Sequence, residues 1–332
     1  MELWSCILAL SAALTPLAAH AGVASADPLE ASLRAAREHA DARGFAMAAV
    51  ASPALAANAF GAAGVARVGL QLPERAAACA AGAAECWLVI YLEGFDSPAG
   101  SFEALARGLR ARPHAPPVVF VALDGRTALG GSWYVDSKAF GAWESFVIKA
   151  LIPAARRALA PGTPPSRTLI LGHSMGGFGA LHLAFAHPRM FGGAAAFEPV
   201  CRTVKLAKTI LAHLAQGVDH FDGSFFYSRL LLSMGAAFHD QRPLIAPALR
   251  PWRLSAQAER ALARFDIATA PAAHPTVRIY VGRRDPLVSP ADLRGLSGPG
   301  VALRVTDGDH LSGLPADLRD ALEALIPVPP AK

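Results

Sequence analysis

The chain predicts an α/β domain: a mostly parallel central sheet covered by helices on both faces, with a helical insertion over one edge. Three observations carry this. Residues 86–92 and 118–123 are continuous apolar runs without polar alternation, the pattern of strands buried on both faces. Segments with apolar residues at helical spacing lie between such runs, as parallel strands joined by crossover helices require. Residues 168–187 then read as strand, sharp turn and helix, with a β-branched and aliphatic run stopping at Gly172 and a small-residue helix closed by Pro188.

In order, Asp27 is a cap-like residue, Pro28 a first helical residue and Glu30 a first-turn acid. Leu29, Leu33 and Ala36 form one apolar face, and the helix is expected to run to Arg43, with Gly44 as its stop. Residues 45–68 are Ala/Gly-rich and yield no clear assignment, although 65–72, ahead of Pro73, read as an early strand. Helix is expected over 101–112 and over 143–159, with a kink at Pro153. Strands are expected over 193–197, 276–281 and 301–305, and an amphipathic helix over 315–325. Between 201 and 273 the alternation lapses. Helical patches at 206–214, 228–238 and 255–265 are separated by Gly217, Pro243, Pro247 and Pro251. This reads as an insertion over the carboxyl edge of the sheet, serving as a lid, a substrate wall or plain packing helices.

A length of 332 residues accommodates one large domain, and the 53% hydrophobic content is inflated by alanine. The net charge of +5 is scattered arginine with no basic run interleaved with aromatics, so nucleic acid is not an expected partner. Residues 3–19 are apolar and interrupted at Pro16, and Ala19-His20-Ala21 and Ala24-Ser25-Ala26 follow as cleavage sites. They read as a secretory signal peptide over 1–26, although Glu2 stands where a basic residue is usual; an uncleaved anchor and a buried helix are the other readings. The expected organisation is therefore a leader (1–26), an N-terminal extension (27–64) and a main domain (65–332) containing the insertion. The expected compartment is extracellular or periplasmic, without stable membrane insertion. Cys6 falls in the leader. Cys79 and Cys86 bracket an Ala/Gly loop and either pair or remain, with Cys201, reduced thiols.

The chemistry centres on Gly172-His173-Ser174-Met175-Gly176. A Gly-x-Ser-x-Gly frame between strand and helix holds the serine in a strained turn, with Gly172 and Gly176 where side chains would collide with neighbouring backbone. It also aims the Met175 amide, at a helix N-terminus, toward a forming oxyanion. A serine hydroxyl needs a base and a group to orient that base. Asp285 follows one late strand and His310 the next, so Ser174, Asp285 and His310 occur in the order that brings them together at the carboxyl ends of parallel strands. Glu198, after the strand at 193–197, is a second candidate acid. Asp285 is preferred because its turn follows a strong strand and its shorter side chain suits a closely held imidazole. The eleven histidines form no His-x-x-x-His spacing, and neither Cys-x-x-Cys nor Gly-x-x-x-x-Gly-Lys is present, so no metal or cofactor is implied.

Several stretches resemble the esterase D-like group of the α/β-hydrolases, which includes acyl esterases, S-formylglutathione hydrolase and mycolyltransferases. They are Leu72-Pro73, Leu92-Glu93-Gly94, Trp143-Glu144-Ser145-Phe146, the run from Gly172 to Leu181, and His187-Pro188 with Phe191. The resemblance spans about residues 68–325. It implies an α/β-hydrolase fold and a serine esterase acting on a small-molecule ester through an acyl-enzyme. By position it implies Ser174 as nucleophile, Asp285 as acid, His310 as base, and the Phe95 and Met175 amides as oxyanion hole. Acyl transfer to an alcohol, or a non-catalytic binding role, are the alternatives. Many relatives carry His-Gly where this chain has Glu93-Gly94, which introduces a carboxyl beside the site.

Overall fold

Every side chain of Trp87–Leu92 is buried, and this run is an inner strand of the central sheet. The computed structural model describes residues 27–328 apart from 61, 108, 110–114, 218–219, 222–223 and 240–252; the expected leader lies outside the described residues. Among the described residues eight strands join one sheet: β1 Phe45–Ala51, β2 Val65–Gln71, β3 Trp87–Leu92, β4 Val118–Asp124, β5 Thr168–His173, β6 Gly193–Phe197, β7 Thr276–Gly282 and β8 Val301–Thr306. Their spatial order is β1-β2-β4-β3-β5-β6-β7-β8. The first two pairings are antiparallel and the rest parallel.

The principal helices are α1 Pro28–Glu38, α2 Ser101–Arg107, α3 Ile152–Leu159, α4 Met175–Ala186, α5 Thr203–Ala215, α6 Phe226–Phe238, α7 Ala256–Ala263 and α8 Leu314–Leu325. They cover both faces of the sheet. Alternate residues of β3 separate into two cores: Leu88, Ile90 and Leu92 pack with Ile152 of α3 and Phe178 of α4, whereas Trp87, Val89 and Tyr91 pack with Phe102 of α2 and Leu318 of α8. Each large side chain so buried contributes about 1.5–3 kcal/mol, which is why an uninterrupted apolar run belongs inside a doubly covered sheet.

Several local outcomes differ from the sequence reading. The unassigned segment supplies edge strand β1, whose Ala46, Ala48 and Val50 point inward while Met47, Ala49 and Ala51 face out. Helix α1 stops at Glu38, before Arg43, because the Asp41 side chain accepts the amides of Arg43 and Phe45 and turns the chain into β1. Its start follows the expected capping, with Asp27 Oδ1 accepting the Leu29 amide at 3.1 Å. Ahead of Pro153 the helix carries a π turn over Phe146–Leu151, the type of irregularity that accommodates a missing N–H. Cys79 and Cys86 form a disulfide, and Cys201 is a buried free thiol.

Candidate active site

Strand β5 ends at His173 and helix α4 begins at Met175, so the whole reversal falls on Ser174 (φ 56°, ψ −115°). The turn closes because its neighbours have no side chains. A Cβ on Gly172 would lie 2.1 Å from the Gly176 carbonyl oxygen, and one on Gly176 would lie 1.9 Å from the Leu92 carbonyl oxygen. The Ser174 amide donates to the Phe197 carbonyl of β6 at 2.8 Å, tying the turn to the next strand.

The sheet brings Ser174, His310 and Asp285 together from three strand ends. Asp285 follows β7 and His310 follows β8. His310 Nε2 is 2.8 Å from Ser174 Oγ, and His310 Nδ1 is 2.6 Å from Asp285 Oδ2. Asp285 Oδ1 accepts the amides of Leu287 (2.7 Å) and Val288 (3.0 Å). Burial works against the charge on Asp285, but the hydrogen bond and charge of His310, with the Glu198 contact, hold its carboxyl below the ordinary aspartate value.

The histidine loop is fixed from two sides. The Asp309 side chain accepts the amides of Leu311 and Ser312, both at 3.0 Å. From below, His173 Nε2 donates to the His310 carbonyl at 2.6 Å. Burial first, then the neighbouring His310, depress His173 to about 3; it stays neutral, with its proton on the nitrogen that faces the carbonyl. No local pattern in the sequence signals this contact, which joins residues 137 apart in the chain.

Phe95 lies in the loop after β3, and Met175 is the first residue of α4. Among the described residues the Phe95 amide has no protein acceptor, and the Met175 amide lies in the first helical turn, where no intrahelical acceptor exists. The loop from Gly125 to Tyr134 braces this region. The Gly130 carbonyl accepts the Asp96 amide at 3.0 Å, and a Cβ on Gly131 would lie 2.4 Å from Met175 Sδ. Tyr134, at φ 56°, donates its hydroxyl to the Glu93 carbonyl at 2.8 Å. That role carried no sequence signal beyond an aromatic in a Gly-rich loop.

Glu93, which departs from the resembled group, is 3% exposed and not a surface charge. Burial, then the nearby Asp124, raise its carboxyl to about 8, so it is neutral at pH 7. Asp124 is gripped by the Arg126 guanidinium, whose Nη2 lies 2.8 Å from Oδ2. Glu144 bonds His182 (2.8 Å) and His187 (2.7 Å), a supporting contact behind α4.

Helix α6 packs against the loops after β3 and β4. On α6, Arg229 pairs with Asp96 at 2.8 Å, Phe226 stands edge-on to Phe95 at 5.7 Å, and Ser233 Oγ accepts the Trp133 indole N–H at 3.0 Å. Helix α6 therefore rests on the loop that carries Phe95 and Asp96. A cavity of about 890 Å³ lined by Lys138, Phe238, Arg260 and Arg264 lies elsewhere, since neither Ser174, Asp285 nor His310 lines it.

The strand order, the covering helices and the site at the carboxyl ends of the parallel strands define an α/β-hydrolase fold. A family model described as "Putative esterase" matches residues 65–295, and the chain belongs to this esterase family. Solved structures with the same fold include an S-formylglutathione hydrolase from Agrobacterium tumefaciens, with a TM-score of 0.53 at 17% identity, covering 85% of this chain and 94% of that one. A ferulic acid esterase gives 0.51 at 16% identity, covering 85% and 97%. An S-formylglutathione hydrolase from Staphylococcus aureus gives 0.51 at 13%, covering 85% and 98%. No curated protein matches the chain. Among the described residues no helix is long and apolar enough to cross a membrane.

Proposed function

We propose that the protein is a serine esterase that cleaves small carboxylic esters through an acyl-enzyme on Ser174. The observation that carries this reading is the continuous line from Ser174 Oγ through the His310 imidazole to Asp285, with contacts of 2.8 and 2.6 Å. Ser174 Oγ attacks the ester carbonyl carbon while His310 Nε2 takes its proton. The negative charge formed on the carbonyl oxygen accepts the Phe95 and Met175 amides. Collapse breaks the bond to the alcohol, which leaves with the proton from His310. Water then attacks the acyl group by the same route in reverse, His310 again taking and returning the proton, and the acid departs. Asp285 keeps the imidazole proton on Nδ1, leaving Nε2 free as the base.

The test is labelling by a fluorophosphonate probe beside hydrolysis of p-nitrophenyl esters of graded chain length. Ser174 is expected to be the one serine labelled, and Ser174→Ala to abolish both labelling and turnover. Retention of both would remove the serine mechanism.

The expected leader and the Cys79–Cys86 disulfide support an oxidising compartment, extracellular or periplasmic. Intact-mass measurement of the mature protein should find a start near Gly22 or Asp27. A full-length cytosolic product would overturn this placement.

A further inference from the structure

Glu198 follows β6 in a conformation that side chains rarely adopt (φ 48°), with 3% of its surface exposed. Its backbone is pinned by a hydrogen bond from its amide to the Tyr280 carbonyl of β7 at 2.9 Å. Its carboxyl accepts the Gly282 amide, 2.8 Å from Oε1 and 2.9 Å from Oε2, and lies within hydrogen-bonding reach of the carboxyl of Asp285. The strained backbone thus delivers a second acid to the one that holds His310.

Two carboxyls in contact away from water cannot both be ionised, so the pair holds a proton. The donors around each acid decide where it sits. Asp285 already faces three donors, the amides of Leu287 and Val288 and the ring of His310. Glu198 has only the Gly282 amide. The ionised form belongs where the donors are, so Asp285 carries the charge and Glu198 keeps the proton, pointing it at Asp285. We propose that Glu198 is a positioning residue: its protonated carboxyl donates a hydrogen bond to Asp285 and so fixes the carboxylate that orients His310. This deepens the function proposed above and rests on it.

The surroundings agree. Burial, then Asp285, raise Glu198 to about 9, and Asp317 on α8 adds a further like charge. On the far side of Asp285 stand His310 and the neutral His173. Above about pH 9 Glu198 would lose its proton, placing a second negative charge against Asp285 in place of a donor. The orientation of His310 would then degrade. Glutamine supplies the same geometry permanently, with an amide N–H toward Asp285 and a carbonyl toward Gly282.

The test is kcat and KM for a naphthyl ester between pH 6 and 10, in wild type, Glu198→Gln and Glu198→Ala. Wild type should lose kcat above about pH 9, as the carboxyl ionises, whereas Glu198→Gln should keep most of its neutral-pH kcat and hold it to pH 10. Glu198→Ala should lose about 10–100-fold in kcat, the effect of deleting a charge-assisted hydrogen bond, with KM little changed because the residue acts through Asp285. An alkaline fall in Glu198→Gln matching wild type, or a Glu198→Ala variant as active as wild type, overturns the inference. If the alanine variant does not fold, the glutamine profile decides alone. An inactive Ser174→Ala beside Glu198 variants that behave like wild type would sink this inference only; an active Ser174→Ala would sink the esterase mechanism itself.

Discussion

Two buried acidic pairs flank the strand that leads to Ser174. On one side, Glu93 follows β3 and Asp124 ends β4; on the other, Glu198 follows β6 and Asp285 follows β7. In both, desolvation and the neighbouring acid raise the glutamate, to about 8 for Glu93 and about 9 for Glu198. In both, the aspartate receives the stronger donors. The difference is in the partner. Asp124 is held by the guanidinium of Arg126, which does not release a proton and faces no nucleophile. Asp285 is held by the imidazole of His310, which can take and return a proton and lies 2.8 Å from a hydroxyl. The same arrangement of acids thus supports structure on one side and is suited to proton transfer on the other, and the basic group beside each aspartate makes the distinction.

The widest gap between the pairs should follow removal of each aspartate charge. Asp285→Asn should lower kcat by about ten-thousand-fold, the scale seen when an orienting acid is removed with geometry kept. Asp124→Asn should instead lower stability by about 1–3 kcal/mol, because a charged hydrogen bond is lost, while its folded enzyme keeps turning over. Kinetics beside denaturant unfolding of both variants measure this, and equal losses of kcat would dissolve the contrast. A smaller effect concerns Glu93, raised from 4.5 to about 8, first by burial and then by Asp124. A carboxyl raised on folding favours the protonated folded state. Its contribution is complete below about 4.5 and is lost as pH rises through about 8. Glu93→Gln cannot ionise, so its stability should fall less than that of wild type between pH 6 and 9, with little change in kcat at pH 7. Parallel stability profiles would show that Glu93 does not titrate in this window.

Features written in local patterns were legible in the sequence. The strands at 87–92 and 118–124 announce themselves through unbroken apolar runs, and the Ser174 turn through two glycines at positions where any Cβ would strike backbone. Strand β1 was not legible because alanine dominates it and has weak strand preference; its pairing with Val65–Gln71 makes it a strand. The end of α1 was missed for a related reason, since the Asp41 side chain competes with helix for the following amides.

By itself, then, the sequence determined the doubly covered sheet and the chain order of Ser174, Asp285 and His310, because periodicity and turn chemistry act over a few residues. Tertiary structure decided which acid touches which partner. Asp285 and Glu198 were both available to the imidazole; the fold sets His310 Nδ1 against Asp285 and gives the Glu198 carboxyl to Gly282 and Asp285. It also set His173 under the His310 carbonyl and the Tyr134 hydroxyl on the Glu93 carbonyl. These contacts join residues far apart in the chain, at distances and in protonation states that depend on burial. No local pattern encodes them, because desolvation exists only once the strands and helices have closed around the groups.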